Sequence, residues 1–132
     1  QHGEGGETCD VWNQTVNNTS CSAGSYSSAT FTAPNCPHFY LKCSIWGATC
    51  SPTHCKVTAR VYRTSDNYQM GTCQNWNEEP GDCGGPGGDW GEIQLVGGVQ
   101  YKLVVWFEGC PGYSCSGCTN CTAQGVVTVV HP

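Results

Sequence analysis

Residues 99–108 read VQYKLVVWFE, and this run decides the expected fold. Its apolar residues alternate along the chain, so that one face of an extended segment carries Val99, Tyr101, Leu103, Val105 and Phe107. Alternation with a period of two, in β-branched and aromatic residues, is typical of a strand with one buried face. The run therefore predicts the strongest strand of the chain.

The same period recurs on both sides of this run, and no segment shows a convincing 3.6-residue period. We predict further strands at residues 28–33, 37–46, 55–63, 89–95 and 123–131. The connections carry Gly, Pro, Asn and Asp, as turns require. The sequence therefore predicts an all-β fold, a small antiparallel β-sandwich that is immunoglobulin-like or jelly-roll-like.

Three segments have a particular expected role in this sandwich. Val96-Gly97-Gly98-Val99 predicts a tight hairpin turn between two strands. Residues 126–130 are apolar on both faces apart from Thr128, which predicts a strand that is central in its sheet or paired with another molecule. Residues 1–27 are expected to form a Gly-rich N-terminal arm and a sequon-bearing loop, and residues 28–132 the disulfide-rich sandwich domain.

Twelve cysteines in 132 residues predict a fold stapled by disulfides and made in an oxidising compartment. The even number favours six disulfides, although spacing does not determine their pairing. The last four form Cys110-x4-Cys115-x2-Cys118-x2-Cys121, in which the Cys-x2-Cys spacing is that of zinc and iron–sulfur ligands, but secretion favours disulfides and no cofactor. The twelve are Cys9, Cys21, Cys36, Cys43, Cys50, Cys55, Cys73, Cys83, Cys110, Cys115, Cys118 and Cys121.

Asn-x-Ser/Thr sequons point to the same extracellular location. They begin at Asn13, Asn17, Asn18 and Asn120. Because the sequons of Asn17 and Asn18 overlap, we expect sugar on only one of that pair. The chain is thus predicted to be a secreted glycoprotein.

Several functional classes lack support in the sequence. Five Lys and Arg residues and a net charge of −5 argue against nucleic acid as a partner. No apolar run approaches the ~20 residues needed to span a bilayer. No nucleophile–base motif or metal-binding triad is present, so we expect no enzymatic activity. Weak calcium candidates are Glu78, Glu79, Asp82 and Asp89, although a solvated acidic loop is the simpler interpretation.

Aromatic residues supply the candidate contact site. Tyr40 and Trp46 fall on the face opposite Phe39 and Ile45, and Trp106 falls opposite Val105 and Phe107. Outward Tyr and Trp on a sandwich can stack on sugar rings or become buried in a protein partner. Coverage of both sheet faces within the fold would explain the same pattern without a ligand.

The run from residue 29 to residue 130 resembles small secreted β-sandwich modules of the carbohydrate-binding and pre-peptidase kinds, in its strand order and its Gly-Gly-Val-Gln-Tyr-Lys-Leu segment at 97–103. The resemblance implies a β-sandwich and assigns no functional residue.

Two function classes follow from these patterns. The first is a structural glycoprotein that assembles with copies of itself, as a filament or surface-layer subunit, through the N-terminal arm and edge strands. The alternative is a carbohydrate-binding module that grips an extracellular polysaccharide with exposed Trp and Tyr.

Overall fold

The computed structural model describes residues 9–20, 22–46, 55–77, 89–109 and 121–130. These residues form eight strands, and every pairing between them is antiparallel, as the sequence predicts. The strands are β1 (Asn13–Asn18), β2 (Ser25–Thr32), β3 (Phe39–Trp46), β4 (Cys55–Arg63), β5 (Tyr68–Asn77), β6 (Asp89–Ile93), β7 (Gln100–Gly109) and β8 (Thr122–Thr128).

The strands form two sheets of four that pack face to face. Sheet A has the order β1-β8-β3-β6, and sheet B has the order β2-β7-β4-β5. Among the described strands, only β4 and β5 are neighbours both along the chain and within a sheet, because every other consecutive pair is divided between the two sheets. Eight strands in this double Greek-key arrangement form a jelly roll, so the immunoglobulin-like alternative does not apply.

The core lies between the sheets and is built from the inward residues of each strand. Alternate positions of β3, β4 and β7 are buried, which confirms the faces predicted from their alternation. The sheets approach closely at Gly125, where an added Cβ would lie 2.6 Å from Val105 Cγ2 and 3.1 Å from Ala59 Cβ. The largest fully buried side chains are Tyr101, Phe39, Phe107, Leu41, Ile45 and Leu103.

The sandwich begins earlier in the chain than residue 28. β1 pairs along its whole length with β8, so residues that we assigned to a loop complete sheet A. Just before β1, the Trp12 ring packs against Phe31 and Phe39, at centroid distances of 5.6 and 6.3 Å. A disulfide between Cys9 and Cys36 fixes the same segment. The arm at residues 1–8 lies outside the described residues.

The turn at Val96–Val99 is tight, but it does not close a hairpin. Val99 N donates to Val96 O at 3.2 Å, and Gly98 has a φ of 86° that favours glycine. However, β6 belongs to sheet A and β7 to sheet B, so the chain crosses the sandwich here. Tyr101 OH accepts a 2.9 Å hydrogen bond from Val96 N. This bond fixes the segment that connects the two sheets, as the corresponding bond of a tyrosine corner does.

The apolar C-terminal strand is internal. β8 pairs with β1 on one side and with β3 on the other, which confirms the prediction of a central strand. The alternative prediction, that this strand pairs with another molecule, is wrong because both edges of β8 are already hydrogen-bonded within sheet A. No helix in the described ranges is long and apolar enough to cross a membrane.

Candidate functional site

The three aromatic residues predicted as contacts point outward but do not come together. Tyr40 and Trp46 lie on β3, on the outer face of sheet A, whereas Trp106 lies on β7, on the outer face of sheet B. The two faces look in opposite directions. One flat ligand therefore cannot use all three residues.

Trp106 belongs to a row that crosses sheet B. The strand register places Tyr26, Trp106, Thr58 and Gln74 side by side on four neighbouring strands. The Tyr26 and Trp106 rings have centroids 6.3 Å apart and planes inclined by 46°. Tyr26 is 64% exposed and Trp106 is half-buried, so this aromatic pair is partly open to solvent.

Two cations lie against indole rings on this face. The Arg60 guanidinium carbon is 5.4 Å from the Trp106 ring centroid, and Lys56 Nζ is 5.2 Å from the Trp76 centroid. Trp76 is 40% exposed on β5, opposite Lys56 in the register. Such cation–π contacts stabilise an exposed site by about 0.5–1 kcal/mol, and they hold long side chains over the sheet.

A third cation, Lys102, points outward from β7 beside Tyr62 of β4. Within the described ranges, no carboxylate lies within ion-pair distance of Lys56, Arg60 or Lys102. The sequences of the four strands of sheet B contain one carboxylate, Glu108, near the end of β7. Among the described residues of these strands, three outward cations stand against the one outward carboxylate of Glu108, so this face is positive on a chain whose net charge is −5.

Two outward positions of this face are nonetheless buried. Thr58 is fully buried and Val104 is 4% exposed, although both alternate with inward residues. Their burial fits the way Arg60 and Trp106 lie over neighbouring positions, since long side chains cover apolar surface with their stems. The Thr58 hydroxyl has no hydrogen-bond partner among the residues that the structure describes.

The outer face of sheet A is polar at its β1 edge. Asn13, Thr15 and Asn17 are exposed there, and Gln124 Nε2 donates to Asn17 Oδ1 at 2.8 Å. At the other side of the sheet, His38 Nδ1 and Glu92 Oε2 are 3.0 Å apart. Two of the predicted sugar acceptors, Asn13 and Asn17, therefore point outward from the face opposite Trp106.

Asn18 differs from its neighbour because it points into the sandwich. It is 3% exposed, and its Nδ2 donates to Ser25 O at 3.0 Å and to Ser25 Oγ at 3.1 Å. Its Oδ1 accepts from Ser20 N at 3.0 Å. A sugar on Nδ2 would break these bonds, so of the two overlapping sequons only that of Asn17 has an exposed asparagine. Asn120 lies outside the described residues.

The remaining predicted site residues are the cysteines and the calcium candidates, and the structure describes some of each. Cys43, Cys55, Cys73 and Cys121 are buried, and Cys9–Cys36 is a disulfide. In the described part of the chain, no three His, Cys, Asp or Glu side chains are grouped as metal ligands would be. Asp89 begins β6. Positions outside the described residues are Cys21, Cys50, Cys83, Cys110, Cys115, Cys118, Glu78, Glu79 and Asp82.

An ion pair stands at the turn between β4 and β5. Arg63 Nε and Nη2 donate to the two carboxylate oxygens of Asp66, at 2.9 and 2.7 Å. The hydrogen bond from Arg63 lowers the pKa of Asp66 from its ordinary 3.8 to about 2. The Arg63 guanidinium also lies 5.3 Å from the Tyr68 ring centroid. Arg63 is thus held by a carboxylate, unlike Arg60 on the same strand.

The sequence patterns do not predict Tyr26, Trp76 or the cations of this face as contacts. Tyr26 was excluded because the strand was predicted to begin at residue 28, and β5 was not predicted. Polar-outward alternation in Ser25–Thr32 is the signal that extends β2 back to Tyr26.

Comparisons with known proteins support the fold and no more. No protein-family model matches the chain, and a search of curated proteins finds no match. A crystal structure of a protein from Sulfurospirillum deleyianum aligns with a TM-score of 0.54 at 9% identity, over 92% of this chain and 99% of that one.

Two further structures align less closely. A carbohydrate-binding module of Cellvibrio mixtus lichenase 5A, in complex with cellotriose, gives a TM-score of 0.43 at 9% identity, over 90% and 88% of the two chains. A CocE/NonD family hydrolase from Staphylococcus aureus gives 0.35 at 12% identity, over 89% of this chain and 31% of that one. Of these three alignments, the first has a TM-score above 0.5, and at 9% identity it shows a shared β-sandwich fold.

Proposed function

We propose that the chain is a secreted, non-enzymatic module that binds a polysaccharide against the outer face of sheet B. The observation that carries this proposal is the Tyr26–Trp106 pair, in which Tyr26 is exposed and Trp106 is half-buried, with the exposed Trp76 on the same face. The Cys9–Cys36 disulfide and the exposed sequon residues at Asn13 and Asn17 are consistent with an extracellular location.

Aromatic rings suit this task because a sugar ring has an apolar face of C–H groups and a polar rim of hydroxyls. An indole or phenol ring covers the apolar face, while its polar group and its neighbours bond the rim. Thr72 and Gln74 of β5 and Ser28 and Thr30 of β2 provide such polar neighbours on either side of Trp106.

The dimensions of the face favour an extended chain over a single sugar. Trp76 is two strands from Trp106 and two residues along the register. Strands ~4.8 Å apart with a rise of ~3.3 Å per residue then place their Cα atoms roughly 12 Å apart. A few linked sugar rings bridge such a separation, so a polymer would contact both indoles at once.

Substitution of the aromatic residues tests the proposal. Trp106→Ala and Tyr26→Ala should each weaken binding to a polysaccharide at least about tenfold in affinity electrophoresis or calorimetry, since stacked aromatics dominate such contacts. Trp46→Ala is the matched control, because it removes an exposed indole from the opposite face.

Equal losses for Trp46→Ala and Trp106→Ala would contradict the assignment of the face. Binding that survives the Tyr26 and Trp106 substitutions would do the same. Cleavage of the bound polysaccharide would overturn the non-enzymatic part of the proposal.

Self-assembly remains the second candidate, and an edge of sheet B favours it. β5 is ten residues long and, among the described strands, pairs only with β4. A long edge offers unpaired N–H and C=O groups to a strand from another molecule. Light scattering and electron microscopy of the full chain, and of a chain without residues 1–8, test this. Monomers for the full chain would rule it out.

A further inference from the structure

We propose that the polysaccharide held by this face is acidic, and that Lys56, Arg60 and Lys102 contact its carboxylate or sulfate groups. The inference rests on the proposed function, and it names the chemical class of the ligand. Its basis is the placement of the cations rather than the aromatic contacts.

The three cations form a line along the face. Lys56 and Arg60 are four residues apart on β4, and Lys102 lies across from Tyr62, two residues further on. At ~3.3 Å per residue, the line extends over roughly 20 Å. It runs beside Trp106 and Trp76, so an extended polymer that stacks on the indoles would pass its substituents along the cations.

The other two cations of the chain are placed differently. Arg63 is bound by Asp66 through both Nε and Nη2. Lys42 lies on β3, on the outer face of sheet A. Three of the five Lys and Arg residues thus lie on the aromatic face without a carboxylate partner in the described ranges, although the chain carries ten Asp and Glu.

Arg60 is the central contact of this line. Its Nε donates a long bond of 3.4 Å to Thr72 Oγ1, and its guanidinium carbon lies 5.4 Å from the Trp106 ring centroid. A guanidinium has five N–H donors in a planar fork that matches a carboxylate or sulfate. Since Arg60 has no carboxylate partner within the described ranges, its remaining donors are open to an anionic ligand.

The net charge of the chain favours binding of an acidic polymer at this face over binding elsewhere on the surface. An acidic polymer is repelled by a chain of charge −5 at most positions, and is attracted where the cations gather. Binding should therefore weaken with salt, as it does for exposed charges that interact through water.

Polygalacturonate and its fully methyl-esterified form provide the test, because they share one backbone and differ in charge. The wild-type chain should bind polygalacturonate at least about tenfold more tightly. Dextran sulfate compared with dextran tests the sulfate arm in the same way. Preference for one charged polymer over the other identifies which anionic group the face selects.

Single substitutions then locate the contact. Arg60→Gln should weaken binding to the preferred acidic polymer about tenfold, and Lys56→Gln or Lys102→Gln about threefold. Lys42→Gln removes the same charge from the opposite face and should change binding less than twofold. Thermal unfolding of each variant verifies that the fold is intact.

The outcomes separate this inference from the proposed function. Equal affinity for the charged and neutral polymers, with binding lost in Trp106→Ala, would overturn the acidic ligand and leave the sugar site. Equal loss in Lys42→Gln and Arg60→Gln would also overturn it, since attraction would then be nonspecific. Failure to bind any of the four polymers would overturn both proposals.

Discussion

The two outer faces of this sandwich are both formed by alternate residues of four strands, but they carry different side chains. On sheet A, the β1 edge presents Asn13 and Asn17, and the far side presents His38 and Glu92. On sheet B, Tyr26 and Trp106 pair, and Lys56, Arg60 and Lys102 have no carboxylate partner in the described ranges. One face thus carries exposed sequon asparagines, and the other carries an aromatic pair beside three cations.

The difference shows that exposure of an aromatic residue is a weak guide to function. Trp46 is 42% exposed and Trp76 is 40% exposed, yet they lie on opposite sides of the molecule. The two residues differ in the neighbours that the strand register places beside them. Lys56 lies opposite Trp76, whereas Thr122 lies opposite Trp46.

The largest expected effect comes from the interior that both faces share. Gly125→Val places a side chain where Val105 and Ala59 already stand, and should destabilise the fold by about 3 kcal/mol. Chemical denaturation measures the loss. Gly91→Ala, in a position with no neighbouring atom within 4 Å, is the control within sheet A and should change stability little. If Gly125→Val is tolerated as well, the sheets are not closely packed there.

A smaller effect is expected at the β1 edge, where Asn18 and Asn17 differ in burial. Asn18→Ala removes the bonds to Ser25 and should cost about 2 kcal/mol in the free energy of unfolding. Asn17→Ala, on the exposed side, should cost less than about 0.5 kcal/mol.

The same pair sharpens the sugar prediction for sheet A. Thr19→Ala removes the sequon of Asn17, and Ser20→Ala removes only that of Asn18. In a glycosylating host, Thr19→Ala should lower the intact mass by one glycan, and Ser20→Ala should leave the glycan mass unchanged. A glycan lost in Ser20→Ala would show that Asn18 is the acceptor and that its burial is misassigned.

On sheet B, the covered hydroxyl of Thr58 predicts a gain in stability. Thr58→Val keeps the shape and removes a buried polar atom that has no described partner, so the unfolding free energy should rise by about 1 kcal/mol. Thr30→Val, at an exposed outward position of β2, is the control and should have little effect. A destabilised Thr58→Val would indicate that the hydroxyl has a partner.

The smallest effect concerns the contrast between Arg63 and Arg60. The Asp66 carboxyl should titrate with a pKa of about 2 in an NMR experiment, and Arg63→Gln should move it toward 3.8. Because the folded pKa is lowered, the ion pair stabilises the fold above the ordinary pKa, and this is lost as pH falls toward 2. Arg60→Gln should leave the Asp66 titration unchanged. A shift in that variant would mean that the two arginines are coupled.

The strongest strands of the fold could be predicted from alternation alone. β3 and β4 end where the pattern ends, and β7 is displaced by one residue. β1 was missed because its sequence is NQTVNN, and its inward Asn18 is satisfied by hydrogen bonds rather than by apolar packing. β5 was missed because its inward positions include Gly71 and Cys73, which do not give the alternation of large apolar residues that predicts a strand. Glycine is needed at position 71, since an added Cβ there would overlap Ile93.

The candidate site could be predicted only in part, for a topological reason. Alternation correctly placed Tyr40, Trp46 and Trp106 outward, but it does not say which sheet a strand joins. The hairpin expected at residues 96–99 failed for the same reason, since the turn carries the chain from sheet A to sheet B. Tyr26 and Trp106 are 80 residues apart along the chain, and only the pairing of β2 with β7 brings them together.

The pairing of the first and last strands has a mechanical consequence. Asn13, where β1 begins, lies opposite Thr128, where β8 ends. A chain tethered at either point is therefore anchored at one corner of sheet A, with the aromatic face turned away from the anchor. A force applied between these two residues would break the hydrogen bonds between β1 and β8 one after another, starting at the Asn13–Thr128 pair, while the other strand pairs remain intact.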